Sequence, residues 1–143
     1  MNAVNGGIDE KLFDYIVNSI KNTPYYQLLG IELTRLEAGN SELSVNITHQ
    51  HTNPLGAIHG GLIMSLADAA MGNAIRSLGI KGVTVDCSTA LIAAALEGEQ
   101  VVARGRVLKA GKTMIFTEAH VWAGERLLSS AKGTFYKTGE MHF

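Results

Sequence analysis

The chain has 143 residues, and its 12 Lys and Arg against 13 Asp and Glu give a formal net charge of −1. This balance gives no indication of a nucleic-acid partner or an acidic ligand surface. Hydrophobic residues make up 46% and charged residues 17%, which is typical of a globular chain and excludes a disordered one. The length fits one domain over residues 1–143, with a helical segment over 1–29 and a core over 30–139.

The first segment, residues 9–22, is predicted to form an amphipathic helix. Leu12, Ile16 and Ile20 recur four residues apart behind an acidic first turn. Pro24 begins a second, short helical turn that Gly30 ends. Residues 1–15 lack the basic and apolar regions of a signal peptide, and Cys87 is the only cysteine, so we expect a cytoplasmic protein without a disulfide.

The middle of the chain is predicted to form two strands and a long helix. Residues 31–36 and 41–48 favour strands, because Leu43, Val45 and Ile47 alternate with polar residues. After a loop of about ten residues, a helix is expected from about His59 to Leu78. Its apolar part, 62–75, is too short to span a membrane, so no membrane association is expected.

Four strands are predicted after Gly82, joined by short links that each contain a glycine and favour antiparallel hairpins. The order of helix, two strands, long helix and four strands indicates an α+β fold with one sheet and one dominant helix. Between Leu62 and Ile75 only Ser65, Asp68 and Asn73 are polar. A helix that is apolar on every side must be covered on every side. We therefore expect a curved antiparallel sheet around it and a second subunit over the rest.

Asp68 is the candidate for chemistry, because a carboxylate within an apolar helix is costly unless it is paired or used. A partly wet helix face or hydrogen bonds from a neighbouring loop would explain it equally well. Gly60 and Gly61 fall at the predicted start of the helix, where backbone N–H groups lack intrahelical partners and can polarise a carbonyl oxygen. Tight packing at a helix start is the structural alternative.

The remaining candidate residues, taken one at a time, are weaker indications of a functional site. Asn53 before Pro54 is ordinary in a turn, and Thr84 is ordinary on a strand. His49, His51 and His59 do not supply the three or four converging ligands that a metal site needs, so neither a metal nor any other cofactor is expected.

In combination, these residues resemble the signature of hotdog-fold acyl-CoA thioesterases of the PaaI type. That group has Asn-x-x-Gly-x-x-His-Gly-Gly followed by an Asp. The later Gly111-Lys112-Thr113 turn resembles the family's second hairpin, and the likeness runs from about Tyr25 to Tyr136. The matching signature residues here are Asn53, Gly56, His59, Gly60, Gly61 and Asp68.

The resemblance implies a hotdog fold, in which a curved sheet wraps one long helix, and hydrolysis of an acyl- or aryl-acyl-CoA thioester. By position, Asp68 would be the general base or nucleophile and the Gly60 amide would polarise the thioester carbonyl. Asn53 would orient the water or the carbonyl, His59 would support the loop, and Thr84 would position the water. The family's site lies between two subunits, so the resemblance implies a homodimer with shared sites and a homotetramer.

Binding residues follow in the same way. CoA phosphates require basic residues at the entrance, and we predict contacts from the second hairpin and its turn. Met64 and Met71, together with segment 9–29, are predicted to line a plastic acyl pocket. The predicted hairpin contacts are Arg106, Lys109, Gly111, Lys112 and Thr113.

Two alternatives stay open on the sequence. A hotdog hydratase or dehydratase would need a catalytic His in an Asp-x-x-x-x-His arrangement, which the sequence does not contain. A non-catalytic acyl-CoA-binding protein would keep the groove without needing Asp68 or Asn53.

Overall fold

The computed structural model describes residues 2–143. The helices and strands, numbered in chain order, are β1 Val4–Asn5, α1 Glu10–Asn22, α2 Pro24–Leu29, β2 Glu32–Glu37, β3 Asn40–Asn46, α3 Gly60–Arg76, β4 Ile80–Leu91, β5 Gln100–Ala110, β6 Met114–Ala123 and β7 Arg126–Glu140. The predicted elements therefore all form, with bounds shifted by one to three residues. The predicted helix 59–78 is shorter, because His59 and Ser77 are its caps. The two-residue strand β1 has no periodicity and was not predicted.

One sheet in the order β1-β2-β3-β5-β6-β7-β4 contains the strands of residues 2–143. All neighbours are antiparallel except the β1–β2 pair. The links β5–β6 and β6–β7 are hairpins, as predicted. The prediction was wrong for the link between β4 and β5, because β4 pairs with β7 instead and lies at the sheet edge. A short link alone therefore does not ensure that the two strands it joins pair with each other.

Helix α3 lies against the sheet and forms the centre of the core. Leu66, Ala67 and Ala70 are fully buried, and contacts run from α3 to strands β3 to β7. The closest approach is at Gly105 on β5, where an added Cβ would overlap the Ala70 carbonyl group. This strand position therefore requires glycine for the helix to reach the sheet. The expected α+β arrangement, with one sheet packed around a long helix, is confirmed.

The N-terminal helices cover one flank of α3. Asp9 caps α1 by accepting from two backbone amides, and Leu12, Ile16 and Ile20 face the core as their spacing predicts. Helix α2 is joined to α3 by hydrogen bonds between the hydroxyl groups of two consecutive tyrosines and polar side chains of α3. No helix among the described residues combines the length and hydropathy needed to cross a bilayer.

Within one chain, α3 is not covered on every side. Gly61, Met64, Ser65, Asp68 and Gly72 form a stripe that is less buried than the helix residues between them, and Met64 is 45% exposed. We call these five residues the open stripe. It lies between α2 on one side and β4 on the other.

Candidate active site

Asp68 lies in the open stripe and is hydrogen-bonded to strand β4. The Thr84 hydroxyl donates a hydrogen bond of 2.7 Å to Asp68 Oδ1. No cation in residues 2–143 forms an ion pair with Asp68. The carboxylate is therefore oriented by one neutral donor, and Oδ2 accepts no hydrogen bond from the described residues.

The irregular register of β4 determines where Thr84 points. Thr84 pairs with Phe135 on β7, whose side chain is buried on the concave face of the sheet. Directly opposed residues share a face, so Thr84 also points toward α3. The pairing then shifts between Thr84 and Asp86. A bulge of this kind re-aims side chains and is frequent beside active sites.

The loop before α3 is shaped by Asn53. Its Oδ1 accepts from the backbone amides of Leu55 at 2.9 Å and Ala57 at 3.2 Å. Gly56 has φ of 81°, a left-handed conformation that favours glycine and closes the turn. The Asn53 oxygen is therefore used in the loop, and its NH2 group has no acceptor among residues 2–143. The amide nitrogen is the part of Asn53 available to a substrate or water.

His59 caps α3 and leaves one backbone donor free. Its Nδ1 accepts from the Gly61 amide at 2.8 Å, and its own amide donates to the His51 carbonyl oxygen at 2.8 Å. In the part of the chain that the structure describes, the Gly60 amide donates to no acceptor. An unpaired N–H in the first turn of a helix carries partial positive charge. It can stabilise negative charge on an oxygen.

The histidines have separate structural contacts. His49 faces Glu97 at 3.3 Å, and His51 Nε2 contacts the Leu29 carbonyl oxygen at 2.8 Å. Among residues 2–143, no group of three or more His, Cys, Asp or Glu side chains converges as metal ligands would.

The structure does not bring the predicted catalytic residues into one contact set within a single chain. Asp68 and Thr84 meet, whereas Asn53, His59 and Gly60 form a second group at the N-terminus of α3. Eight residues separate Gly60 from Asp68. At a rise of 1.5 Å per residue they lie about 12 Å apart along the helix. One thioester carbonyl therefore cannot contact both groups of the same chain.

The predicted binding residues are also divided. Met64 lies in the open stripe, whereas Met71 is fully buried and its side chain lies against Gly133 on β7. Arg106 is paired with Glu118 on the neighbouring strand. Lys112 and Thr113 are exposed in the turn between β5 and β6, and Lys109 is exposed at the end of β5. This turn is bound to β7, because the Lys137 amide donates to the Thr113 carbonyl oxygen at 2.7 Å. Gly111 closes this turn by donating to the Met114 carbonyl oxygen.

Two tyrosines were missed by the sequence analysis. The Tyr25 hydroxyl lies 2.7 Å from Ser65 Oγ, in the open stripe one turn before Asp68. The Tyr26 hydroxyl accepts from Asn73 Nδ2 at 3.3 Å, and burial raises the pKa of Tyr26. Ser65 and Asn73 were visible as polar residues in an apolar helix. Their partners lie 40 and 47 residues away, so no local pattern identifies them.

Comparison with known proteins gives a consistent result. A profile described as the thioesterase superfamily matches residues 55–130. Human acyl-coenzyme A thioesterase 13 is 32% identical over 111 residues, covering 76% of this chain and 79% of the human protein. The solved structure of the Escherichia coli PaaI protein from the phenylacetic acid degradation operon superposes with a TM-score of 0.87 at 21% identity, covering 94% of this chain and 99% of that one.

A second solved structure is a hypothetical thioesterase protein of Streptococcus pneumoniae with coenzyme A. It gives a TM-score of 0.75 at 24% identity, covering 78% of this chain and 91% of that one. At these identities, the two structures establish the fold of this chain.

Proposed function

Because this chain belongs to the thioesterase superfamily and has the PaaI-type hotdog fold, we propose that it hydrolyses an acyl- or aryl-acyl-CoA thioester to the free acid and CoA. The observation that carries this proposal is the contact between Asp68 and Thr84 at 2.7 Å, in the open stripe of a largely apolar helix. A carboxylate held by one neutral donor, with its second oxygen available, is suited to accept a proton from water.

In the general-base route, Asp68 takes a proton from a water molecule as the water oxygen attacks the thioester carbon. Negative charge builds on the carbonyl oxygen and is stabilised by the Gly60 amide. The C–S bond then breaks, and the CoA sulfur takes up the proton. In the nucleophile route, Asp68 attacks the carbon itself, the C–S bond breaks, the CoA sulfur takes up a proton, and water hydrolyses the resulting anhydride. When that water attacks the Asp68 carboxyl carbon, a single turnover in ¹⁸O-labelled water leaves label in Asp68, which the general-base route never does.

The separation of about 12 Å along α3 supports a site shared between two chains. Strand β4 has an unpaired edge in the sheet and carries exposed apolar side chains, including Val85 at 55% and Leu91 at 48%. A long apolar edge of this kind is a template for pairing with another copy. In an antiparallel pair of two β4 strands, opposite ends of the strands lie side by side. The Leu91 end of one strand, which covers Gly60 of its own chain, would then lie toward the Thr84 end of the other strand.

Other parts of the proposal rest on exposed surfaces. Lys109 and Lys112 are exposed and would contact the phosphates of CoA at the entrance.

The convex face of the sheet carries Leu108, Phe116 and Tyr136, each exposed by 45–48%, and this patch supports a further contact between two dimers as a homotetramer. Cys87 is exposed and unpaired, in keeping with a reducing cytoplasm.

The first experiment is Asp68→Asn, with CoA thiol release measured across a panel of acyl- and aryl-acyl-CoA substrates. We expect loss of turnover with an unchanged melting temperature, because the substitution keeps the shape and removes the base. Asp14→Asn, on the exposed face of α1, is the matched control. Full activity of Asp68→Asn would contradict the mechanism. Tight acyl-CoA binding without turnover by the unmodified protein would indicate a binding protein instead.

The second experiment tests the shared site with Val85→Lys on β4. A buried charge at a strand pair is unfavourable, so we expect dissociation in sedimentation velocity and a parallel loss of activity. Val4→Lys, at the opposite edge of the sheet and 50% exposed, is the control. A fully active monomer would contradict the shared site.

A further inference from the structure

A cavity lies at the opposite end of α3 from Gly60. It has a volume of about 350 Å³ and lies between the C-terminal end of α3, the start of β4 and the C-terminal tail. Arg76, Lys81 and His142 line it together with Tyr15 and Gly82, and none of its lining residues is acidic. The cavity is therefore suited to an anion.

Arg76 has no anionic partner in the structure. Its Nη1 donates to Asn73 Oδ1 and its Nη2 to Ser19 Oγ, both at 2.9 Å, and both acceptors are neutral. No carboxylate of residues 2–143 forms an ion pair with it. A guanidinium has five N–H donors, so three remain. Burial lowers the pKa of Arg76, as expected for a cation that is partly desolvated and not compensated by a carboxylate.

Two residues that line the cavity lie on the same elements as Asp68 and Thr84. Arg76 follows Asp68 by eight residues on α3, or about 12 Å along the helix axis. On the facing strand, Gly82 lines the cavity and precedes Thr84 by two residues. A molecule whose reacting carbon lies at Asp68 would thus reach Arg76 with a substituent of medium length.

Gly72 lies between Asp68 and Arg76 on α3. It lies on α3 one turn beyond Asp68, where glycine costs a helix about 1 kcal/mol relative to alanine. Packing does not require it, because an added Cβ would meet only Phe135, at an ordinary contact distance of 3.7 Å. Gly72 therefore places no side chain on α3 between Asp68 and Arg76.

From this arrangement we infer that the cavity holds a carboxylate at the far end of the acyl group, so that medium-chain ω-carboxyacyl-CoA thioesters are the preferred substrates. This inference rests on the proposed thioesterase function. The planar fork of Arg76 matches a carboxylate with two parallel hydrogen bonds. Lys81 adds a second positive charge from the opposite wall.

The test compares suberyl-CoA with octanoyl-CoA, which have the same number of carbons and differ in the terminal carboxylate. The same two acyl groups are also presented as pantetheine thioesters, which lack the nucleotide phosphates. The variants are Arg76→Gln and Lys81→Gln, with Arg104→Gln as the control. Arg104 is exposed and paired with Glu42 on the sheet.

We expect the unmodified protein to prefer suberyl over octanoyl thioesters. Arg76→Gln should lower kcat/KM for the suberyl thioesters by about tenfold or more, because charge-assisted hydrogen bonds are roughly twice as strong as neutral ones. The same variant should leave the octanoyl thioesters nearly unchanged, and this activity also shows that it folds. Lys81→Gln, at an exposed position, should give a smaller loss with the same selectivity.

Three outcomes would overturn the inference. One is an unchanged ratio of suberyl to octanoyl activity in both variants. Another is an equal loss for both CoA thioesters with no loss for the pantetheine thioesters, which would assign the cavity to a CoA phosphate. The third is no preference for suberyl thioesters in the unmodified protein. Failure to hydrolyse any thioester would instead contradict the proposed function itself, so the two failures are distinguishable.

Discussion

Replacement of Gly60 by proline removes a single backbone N–H and tests whether that group stabilises the transition state. Gly60 is the first residue of α3, and its amide donates to no acceptor in residues 2–143. Proline is favoured at the first helical position, so no intrahelical hydrogen bond is lost. His59, which precedes it, has φ of −70° and ψ of 133°, a conformation that a following proline permits.

The matched variant is Gly60→Ala, which keeps the N–H. A Cβ at position 60 would approach Leu91 Cδ1 to 2.7 Å, and this overlap is common to alanine and proline. Leu91 is 48% exposed and its side chain can move. The ratio of the two variants therefore isolates the amide proton. Leu91→Ala in both backgrounds removes the shared overlap if Gly60→Ala itself loses activity.

Loss of one preorganised donor to a developing oxyanion costs roughly 10²–10³ in kcat, or about 3–4 kcal/mol. We expect this difference between Gly60→Pro and Gly60→Ala in CoA thiol release, with similar melting temperatures for the two variants. KM should change little, because the donor acts mainly in the transition state. Equal kcat values for the two variants would refute the role of the Gly60 amide in the reaction.

Two further predictions concern the carboxylate and the core. Thr84→Val removes the hydroxyl donor to Asp68 without changing the shape of the side chain, and a hydrogen bond to a charged group is worth about 1.5–3 kcal/mol. We therefore expect kcat/KM to fall by at least roughly tenfold, whereas Thr84→Ser retains activity. Equal loss in both variants would contradict a role for the hydroxyl. Gly105→Ala forces a Cβ into the Ala70 carbonyl group, and overpacking costs about 1–3 kcal/mol or more. Chemical denaturation should detect this loss, whereas Gly139→Ala, with nothing within 4 Å, should be near neutral.

The sequence by itself determined the helices, every strand except β1, and the identity of the candidate catalytic residues. The four-residue spacing of Leu12, Ile16 and Ile20 predicts α1, and alternation along residues 43–47 predicts β3. Those patterns are local, and burial of one face is enough to produce them. The combination of Asn53, His-Gly-Gly and Asp68 was also readable, because its spacing lies within one loop and one helix.

Tertiary structure alone decided which residues meet. The sequence links predicted β4 beside β5, but the sheet pairs β4 with β7 and leaves its apolar edge open. The hydrogen bonds of Tyr25 and Tyr26 to α3 and the cation-lined cavity at Arg76 all join segments far apart in the chain. Which strands pair depends on how all the segments pack around α3, and the residue spacing within one segment contains no information about that packing.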